Sequence, residues 1–394
     1  MREIKPVADW TTDWDHLDPR WRDNPYPIWD EIRGGKCQIA HTGRYNGAYL
    51  PTRYKDVRAI ANDTNSFSSR RVVLRETYPE TGTGAPPITS DPPEHKPFKQ
   101  LLLPAFTPDA IDRLVPGTRA SCNELIDRFI AKGRCDAAQD YARLIPIRVI
   151  AKMIGIPEGD SDLFVHWIHL ALEVGITDPA AMEKVEKEMG AYFLGHIAER
   201  RVAPKDDMIS YLIGAKLEHR ALTEIDIIGV LRLLLVAGID TTWSAIGASL
   251  WHLAKTPADR DRLIAQPALM PTAVEEFLRA FSPVTMAREV VKDTVVNGCP
   301  IKAGNMLLLS FPAANRDPEV FPDADKVVID RDQNRHSAFG LGIHRCVGSN
   351  LARMEITVAL EEWLKRIPKF RLVGDVAWSE GTVRGPRKLP IAFG

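Results

Sequence analysis

Phe339-Gly-Leu-Gly-Ile-His-Arg-Cys-Val-Gly348 is the run of this sequence richest in chemical constraint. Gly340, Gly342 and Gly348 permit tight turns and a close approach of the backbone to a flat ligand. An amphipathic pattern follows at once. Cys346 is therefore expected just ahead of a helix N-terminus, where free amides and the macrodipole favour thiolate over thiol. A thiolate there is a good metal ligand, and His344, two residues earlier, is able to donate to a carboxylate beside that metal. A glycine-rich turn around a buried cysteine would show any one of these features. Together, at this spacing, they point to a ligand loop.

The other four cysteines, Cys37, Cys122, Cys135 and Cys299, are scattered without CxxC pairs. An odd total at wide spacing argues against a disulfide framework or a zinc site and fits a reducing cytoplasm; these four read as small core or surface residues. The formal net charge of −1 gives no global attraction to nucleic acid or an anionic membrane. Residues 1–20 carry Asp9, Asp13, Asp15 and Asp18 and no apolar run, so no signal peptide or membrane anchor is expected. The most apolar stretch, 227–239, contains Arg232 and falls short of the ~20 residues a membrane span needs. It reads as a buried helix.

Apolar residues at three- and four-residue spacing predict helices over 110–131, 179–201, 223–254, 271–281 and 348–367. Asp178-Pro179 and Thr256-Pro257 look like helix starts, and Thr223 with Asp226 resembles a capping box. Strands are expected over 289–296, 299–302 and 305–311, with a hairpin turn at Asn297-Gly298. Two long loops, 77–93 and 315–335, are rich in proline or aspartate. The length of 394 residues would allow two or three domains, but no repeat or linker offers a place to divide the chain. The expected class is mainly α with a minor β region.

The cysteine run matches, position by position, the FGxGxHxCxG signature of the cytochrome P-450 superfamily. The similarity extends over nearly the whole chain and resembles the soluble bacterial type. It implies the cytochrome P-450 fold, a single domain over residues 1–394, and a haem b whose axial thiolate is Cys346, with Phe339 and Gly340 beside it. A second segment, Ala237-Gly-Ile-Asp-Thr-Thr242, has a glycine and two threonines inside a predicted helix, where they cost propensity. The Thr241 hydroxyl can bond the carbonyl of Ala237 and loosen the ladder into a local groove. In the family this segment, here Ala237 and Gly238 with the acid–alcohol pair, crosses the oxygen-binding side of the haem. That assigns proton delivery to Asp240 and Thr241.

Glu276 and Arg279 match the family's ExxR motif, a buried clamp behind the cysteine loop. The family's third partner, commonly arginine, matches Lys326 in this chain. The resemblance further implies that His95, Arg288 and His344 hold the haem propionates. Lys99 is a weaker helper where arginine is more usual.

The implied reaction is a monooxygenation: dioxygen, two electrons and two protons hydroxylate, epoxidise or dealkylate an organic molecule. No flavin or iron–sulfur segment is found, so electrons are expected from a separate ferredoxin fed by its reductase, docking near Arg345, Lys99 and Arg113. By analogy the pocket includes Leu233, Val236, Ala237 and Val284, with Ile88 and Val383. All are apolar, so a hydrophobic substrate of small to moderate size is expected, such as a terpenoid, an aromatic or a steroid-like ring system. A peroxide-driven peroxygenase and a ring-coupling biosynthetic member are the alternatives within the superfamily, and a haem sensor or carrier is the alternative outside catalysis. The acid–alcohol pair argues against the peroxygenase and the carrier.

Overall fold

The computed structural model describes residues 5–35, 39–78, 84–218 and 220–394; Cys37 and part of the expected 77–93 loop lie outside the described residues. Eight helices build the surroundings of the cysteine loop. They are α1 (His95–Leu102), α2 (Val115–Asp127), α3 (Leu144–Ile154), α4 (Ser161–Leu172), α5 (Pro179–Val202), α6 (Glu224–Lys255), α7 (Met270–Ala280) and α8 (Ser349–Arg366).

Helix α6 is the axis of the molecule. It has 32 residues and opens on the expected capping box: Thr223 Oγ1 accepts from the Asp226 amide, and the Asp226 carboxylate accepts from the Thr223 amide. At 1.5 Å per residue it is roughly 48 Å long. Apolar side chains surround it, as befits an interior helix. Leu231, Leu235 and Ile239 enter one core cluster with Ile150 of α3 and Leu351 of α8. Ile246, Leu250 and Leu253 enter another with Phe277 of α7 and Leu360 and Trp363 of α8. Arg232 is buried within it and pairs with Glu186 of α5 at 2.9 Å. Among the described residues no helix is long and apolar enough to cross a membrane.

Helix α5 starts at Asp178, whose carboxylate accepts from the amides of Ala180 and Ala181, as its sequence suggests. Thr256, by contrast, makes no capping bond, and Pro257 alone marks that start. The single helix expected over 110–131 is two, Pro108–Asp112 and α2. Pro116 is the reason: it has no amide to donate, and its ring clashes with the carbonyl four residues back, at Asp112.

The strands that bear on the site are β1 (Ile39–Thr42), β2 (Ala48–Pro51), β3 (Phe67–Ser68), β4 (Thr285–Val290), β5 (Thr294–Val296), β6 (Cys299–Ile301), β7 (Met306–Ser310), β8 (Ala377–Trp378) and β9 (Pro386–Lys388); Arg134–Asp136, Phe370–Leu372 and Pro390–Phe393 form a separate three-stranded sheet. Five form a sheet in the order β1-β2-β7-β4-β3, parallel only between β2 and β7. The strand expected over 289–296 is divided between β4 and β5: the Val291 amide still bonds the Ser66 carbonyl in the β3–β4 register, and the chain then bends at Lys292 before β5 begins. The β5–β6 hairpin turns where expected, with Asn297 and Gly298 both at positive φ. The segment 315–335 contains no helix or strand. The fold is mainly α with a smaller sheet portion.

Candidate active site

Two periodicities and one loop converge on one cavity. Leu233, Ala237, Thr241 and Ala245 line it at four-residue spacing along α6, as one face of a helix must. Val284, Met286 and Arg288 line it at two-residue spacing, on one side of the β4 pleat. Phe339, Gly340, Cys346 and Gly348 bring the cysteine loop to the same space.

The loop depends on glycine where the sequence says it should. Gly340 and Gly342 both have φ near +70°. A Cβ on Gly342 would stand 2.3 Å from the carbonyl oxygen of Ala61, so no larger residue fits. The Cys346 amide donates to the carbonyl of Phe339 at 2.8 Å and closes the loop. The Cys346 sulfur is open to the cavity yet deep beneath the protein surface. Burial pushes its thiol up, while the Gly348 amide and the charges of Lys99, Arg345 and Arg353 act the other way. The expectation that the helix end alone would favour thiolate is therefore corrected: desolvation outweighs it, and the protein by itself leaves a thiol. A bound metal cation reverses this by deprotonating a coordinating thiol.

His95, Arg288 and His344 gather on the same cavity. The two imidazoles stack edge-to-face with centroids 4.4 Å apart. Burial, then the charges of Arg288, His95 and Lys99, push His344 down to about 3, and its buried Nε2 has no hydrogen-bond partner. Arg288 is buried and pushed down to about 10 by desolvation, with the Ala287 carbonyl as its hydrogen-bond acceptor. The nearby carboxylate of Asp91 is engaged by Ser68 and the Ser69 amide. Three basic side chains beside one cavity, with no carboxylate bonded to them among the described residues, are costly by themselves and suited to a ligand bearing two carboxylates. A sulfur ligand, a cavity with flexible-backbone glycines and this edge of one guanidinium and two imidazoles able to donate hydrogen bonds fit a haem.

Comparison with known proteins agrees. A cytochrome P450 family model matches residues 177–371. The mycinamicin IV hydroxylase/epoxidase of Micromonospora griseorubida is 37% identical over 88% of this chain and 89% of its own length. The steroid C26-monooxygenase of Mycolicibacterium smegmatis is 33% identical over 88% of each chain. The chain belongs to the cytochrome P450 family. The crystal structure of CYP109E1 from Bacillus megaterium in complex with testosterone superposes with a TM-score of 0.87 at 31% identity, covering 95% of this P450 and 98% of that chain. The protein is thus a haem-iron oxidoreductase, a monooxygenase that uses dioxygen, a redox partner and a small-molecule substrate.

Within this P450, Thr241 Oγ1 donates to the Ala237 carbonyl at 2.8 Å, as expected, although α6 stays continuous through the segment. Gly238 is needed for packing: a Cβ there would stand 2.4 Å from Cδ1 of Ile150 on α3. Asp240 is fully buried and does not line the cavity. Its carboxylate turns instead to Arg387 on β9, whose Nη2 lies 2.7 Å from Oδ1 and 3.0 Å from Oδ2. Burial pushes the Asp240 carboxyl up, and Arg387 opposes that rise.

The clamp is larger than its motif. Glu276 and Arg279 are both fully buried and joined by two 2.8 Å bonds. The third partner is Arg331, not Lys326: Arg331 Nε lies 2.9 Å from Glu276 Oε2, and the Asn334 amide adds a bond at 3.0 Å. The Lys326 ammonium is exposed and pairs with Asp323, while only its backbone carbonyl meets Arg279. Lys99 is likewise reassigned, because its ammonium donates to the carbonyls of Ile343 and Arg345 and so ties down the cysteine loop. Arg345 and Arg113 are exposed.

Ile88, Leu233 and Val284 line the cavity as expected. Val236 and Val383 do not. Val236 packs into the core with α3 and α5 residues, and Val383 is buried in a backbone bridge to Val284. Pro87, Leu234, Ala245 and Met286 line it without having been foreseen. Nothing in their local sequence marks them, since membership follows from how helix and strand are docked.

Proposed function

We propose that this chain inserts one atom of dioxygen into a hydrophobic molecule of small to moderate size, with a haem b held by Cys346 as axial thiolate. His95, Arg288 and His344 hold the haem propionates. The observation that carries the reading is the donor-lined edge of the cavity, where the buried Nε2 of His344 has no hydrogen-bond partner and the guanidinium of Arg288 has no anionic partner among the described residues.

The bound haem supplies the dioxygen chemistry that no side chain offers. Cys346 would hold the haem iron through its sulfur, which the fold keeps from bulk water. Thr241 presents a hydroxyl to the other part of the cavity and passes protons into it, and Asp240, the residue before it in α6, resupplies them. Pro87, Ile88, Leu233, Ala245 and Val284 keep the substrate end apolar, so a charged substrate group has no counter-charge there. That lining accords with the mycinamicin IV and steroid substrates named for two of the relatives. Electrons come from a ferredoxin-type protein and its reductase, approaching the exposed side of the cysteine loop near Arg345.

The test is spectroscopic. The reduced carbon monoxide complex of the holoprotein shows the long-wavelength Soret band, and Cys346→Ser abolishes it. Retention of the band in that variant excludes Cys346 as ligand. A library of macrolides, steroids and terpenoids, screened for spin-state shifts of the haem spectrum, then identifies the substrate class. A response confined to carboxylate-bearing compounds defeats the apolar-substrate reading.

A further inference from the structure

Asp240 is the inner end of a row of charged side chains drawn from three distant parts of the sequence. Arg387 of β9 reaches its carboxylate at 2.7 Å and, with Nε, reaches Glu173 Oε1 at 3.0 Å. Glu173 follows the last residue of α4 and is met from the other side by His169 Nδ1 at 3.3 Å. Side-chain exposure is 0% at Asp240, 16% at Arg387, 14% at Glu173 and 55% at His169, so the row leads from the interior to solvent. Arg387 is fixed in place: it lies over the Trp243 ring at 4.3 Å and donates to Ser244 Oγ at 3.2 Å. Glu173 also lines a second cavity, walled in part by Thr177, Thr382 and Arg384, which shares Pro283 with the first.

We infer that Arg387 and Glu173 are positioning residues that compete over the charge of Asp240: one guanidinium is divided between two carboxylates. This rests on the reading of Asp240 as the proton-supplying acid. The charged groups that act on Asp240 are Arg387 and Glu173, and Glu173 is in turn faced by His169. In the low dielectric of the interior an opposite charge within a few ångströms favours the ionised carboxyl and a like charge disfavours it. Arg387 therefore favours the ionised form of Asp240 against the burial that disfavours it. Glu173 does the reverse twice over, by its own charge and by drawing Arg387 away. A purely structural pair would be needed for folding alike. This pair has opposite signs.

The acid matters because both outcomes of turnover consume the same two electrons and two protons per dioxygen. Productive turnover places one oxygen in the substrate and releases the other as water, whereas unproductive turnover returns both as hydrogen peroxide. Electrons come from the redox partner in either case, and timely delivery of the protons selects between them.

The experiment is a pH titration of the haem-loaded protein by infrared difference spectroscopy, following the Asp240 carboxyl band identified by its loss in Asp240→Asn. In Arg387→Gln the midpoint moves up and in Glu173→Gln it moves down, each by about one pH unit. Arg387→Lys restores the midpoint towards the parent value. If Arg387→Gln fails to retain haem, Glu173→Gln and Arg387→Lys carry the test. Midpoints that move in the same direction, or do not move, overturn the inference. Peroxide released per dioxygen, measured in Asp240→Asn with the compound giving the largest spin shift, is a separate readout: no change there removes Asp240 from proton supply, whatever the infrared titration shows.

Discussion

Arg331 Nε lies 2.9 Å from Oε2 of Glu276, although 55 residues separate them in the chain. The Glu276 carboxylate also accepts from Arg279, the Val328 amide and Asn334, so a fully buried anion is satisfied from a helix and from a loop that has no regular structure of its own. Loop 315–335 owes its conformation to that anion.

Arg331→Ala is therefore expected to cost about 3 kcal/mol of stability, since it strips one cation from a buried ionic group. Lys326→Ala, at the position the family motif suggests, leaves stability nearly unchanged because its ion pair is exposed. Denaturant unfolding of the two variants, with haem content measured in parallel, compares them. Equal losses would restore Lys326 to the clamp.

Arg288 separates the apoprotein from the loaded protein. Without a ligand it is a buried cation with a backbone acceptor, so Arg288→Leu leaves apoprotein stability unchanged or raises it. With haem bound, the same variant loses a charge-assisted partner of a propionate, and retention falls roughly tenfold, which corresponds to about 1.4 kcal/mol. Unfolding of the apoprotein and the rate of haem transfer to apomyoglobin report the two effects. A variant that weakens both equally would make Arg288 merely structural.

Thr241 donates its hydroxyl to a carbonyl within α6, a bond whose loss the helix tolerates. Thr241→Ala should keep the haem spectrum and the substrate-induced spin shift while diverting most reducing equivalents to hydrogen peroxide. Thr241→Ser, which retains the hydroxyl, should fall between. The ratio of peroxide to product checks this, and unchanged coupling in Thr241→Ala removes the hydroxyl from proton delivery.

Glu275, next to the clamp, carries a pH dependence. Burial would raise its carboxyl, but hydrogen bonds from Arg353 and His336 hold it down to about 2, below its ordinary 4.5. A carboxyl lowered on folding stabilises above the unfolded value and loses that contribution as pH falls through the folded one. Glu275→Gln should thus cost on the order of 3 kcal/mol at neutral pH. The gap to the parent should close between about 4.5 and 2. Unfolding curves across that interval test the sign; a constant gap would mean Glu275 acts through packing.

Most of what neighbouring residues carry is legible in the sequence. The cysteine loop, the Thr223 capping box, the Asp178 cap, the Asn297-Gly298 turn, the Thr241–Ala237 bond and the Glu276–Arg279 spacing all follow from steric rules and side-chain reach over a few positions. The breaks at Pro116 and Val291 were misread for different reasons. Pro116 is a local signal set within a strong helical period, whereas the end of β4 is fixed by where its partner strands stop, with a bend at Lys292 that the alternating pattern does not mark.

What the amino-acid order determined was thus the ligand loop, the long buried helix and the chemistry each can offer. Only the tertiary structure decided that Arg331 rather than Lys326 meets Glu276, that Val236 faces the core, and that Asp240 answers to Arg387 and Glu173. Those choices depend on which distant side chains share a desolvated space. Charge interactions there are strong and set by distance in three dimensions, and spacing along the chain carries no trace of them.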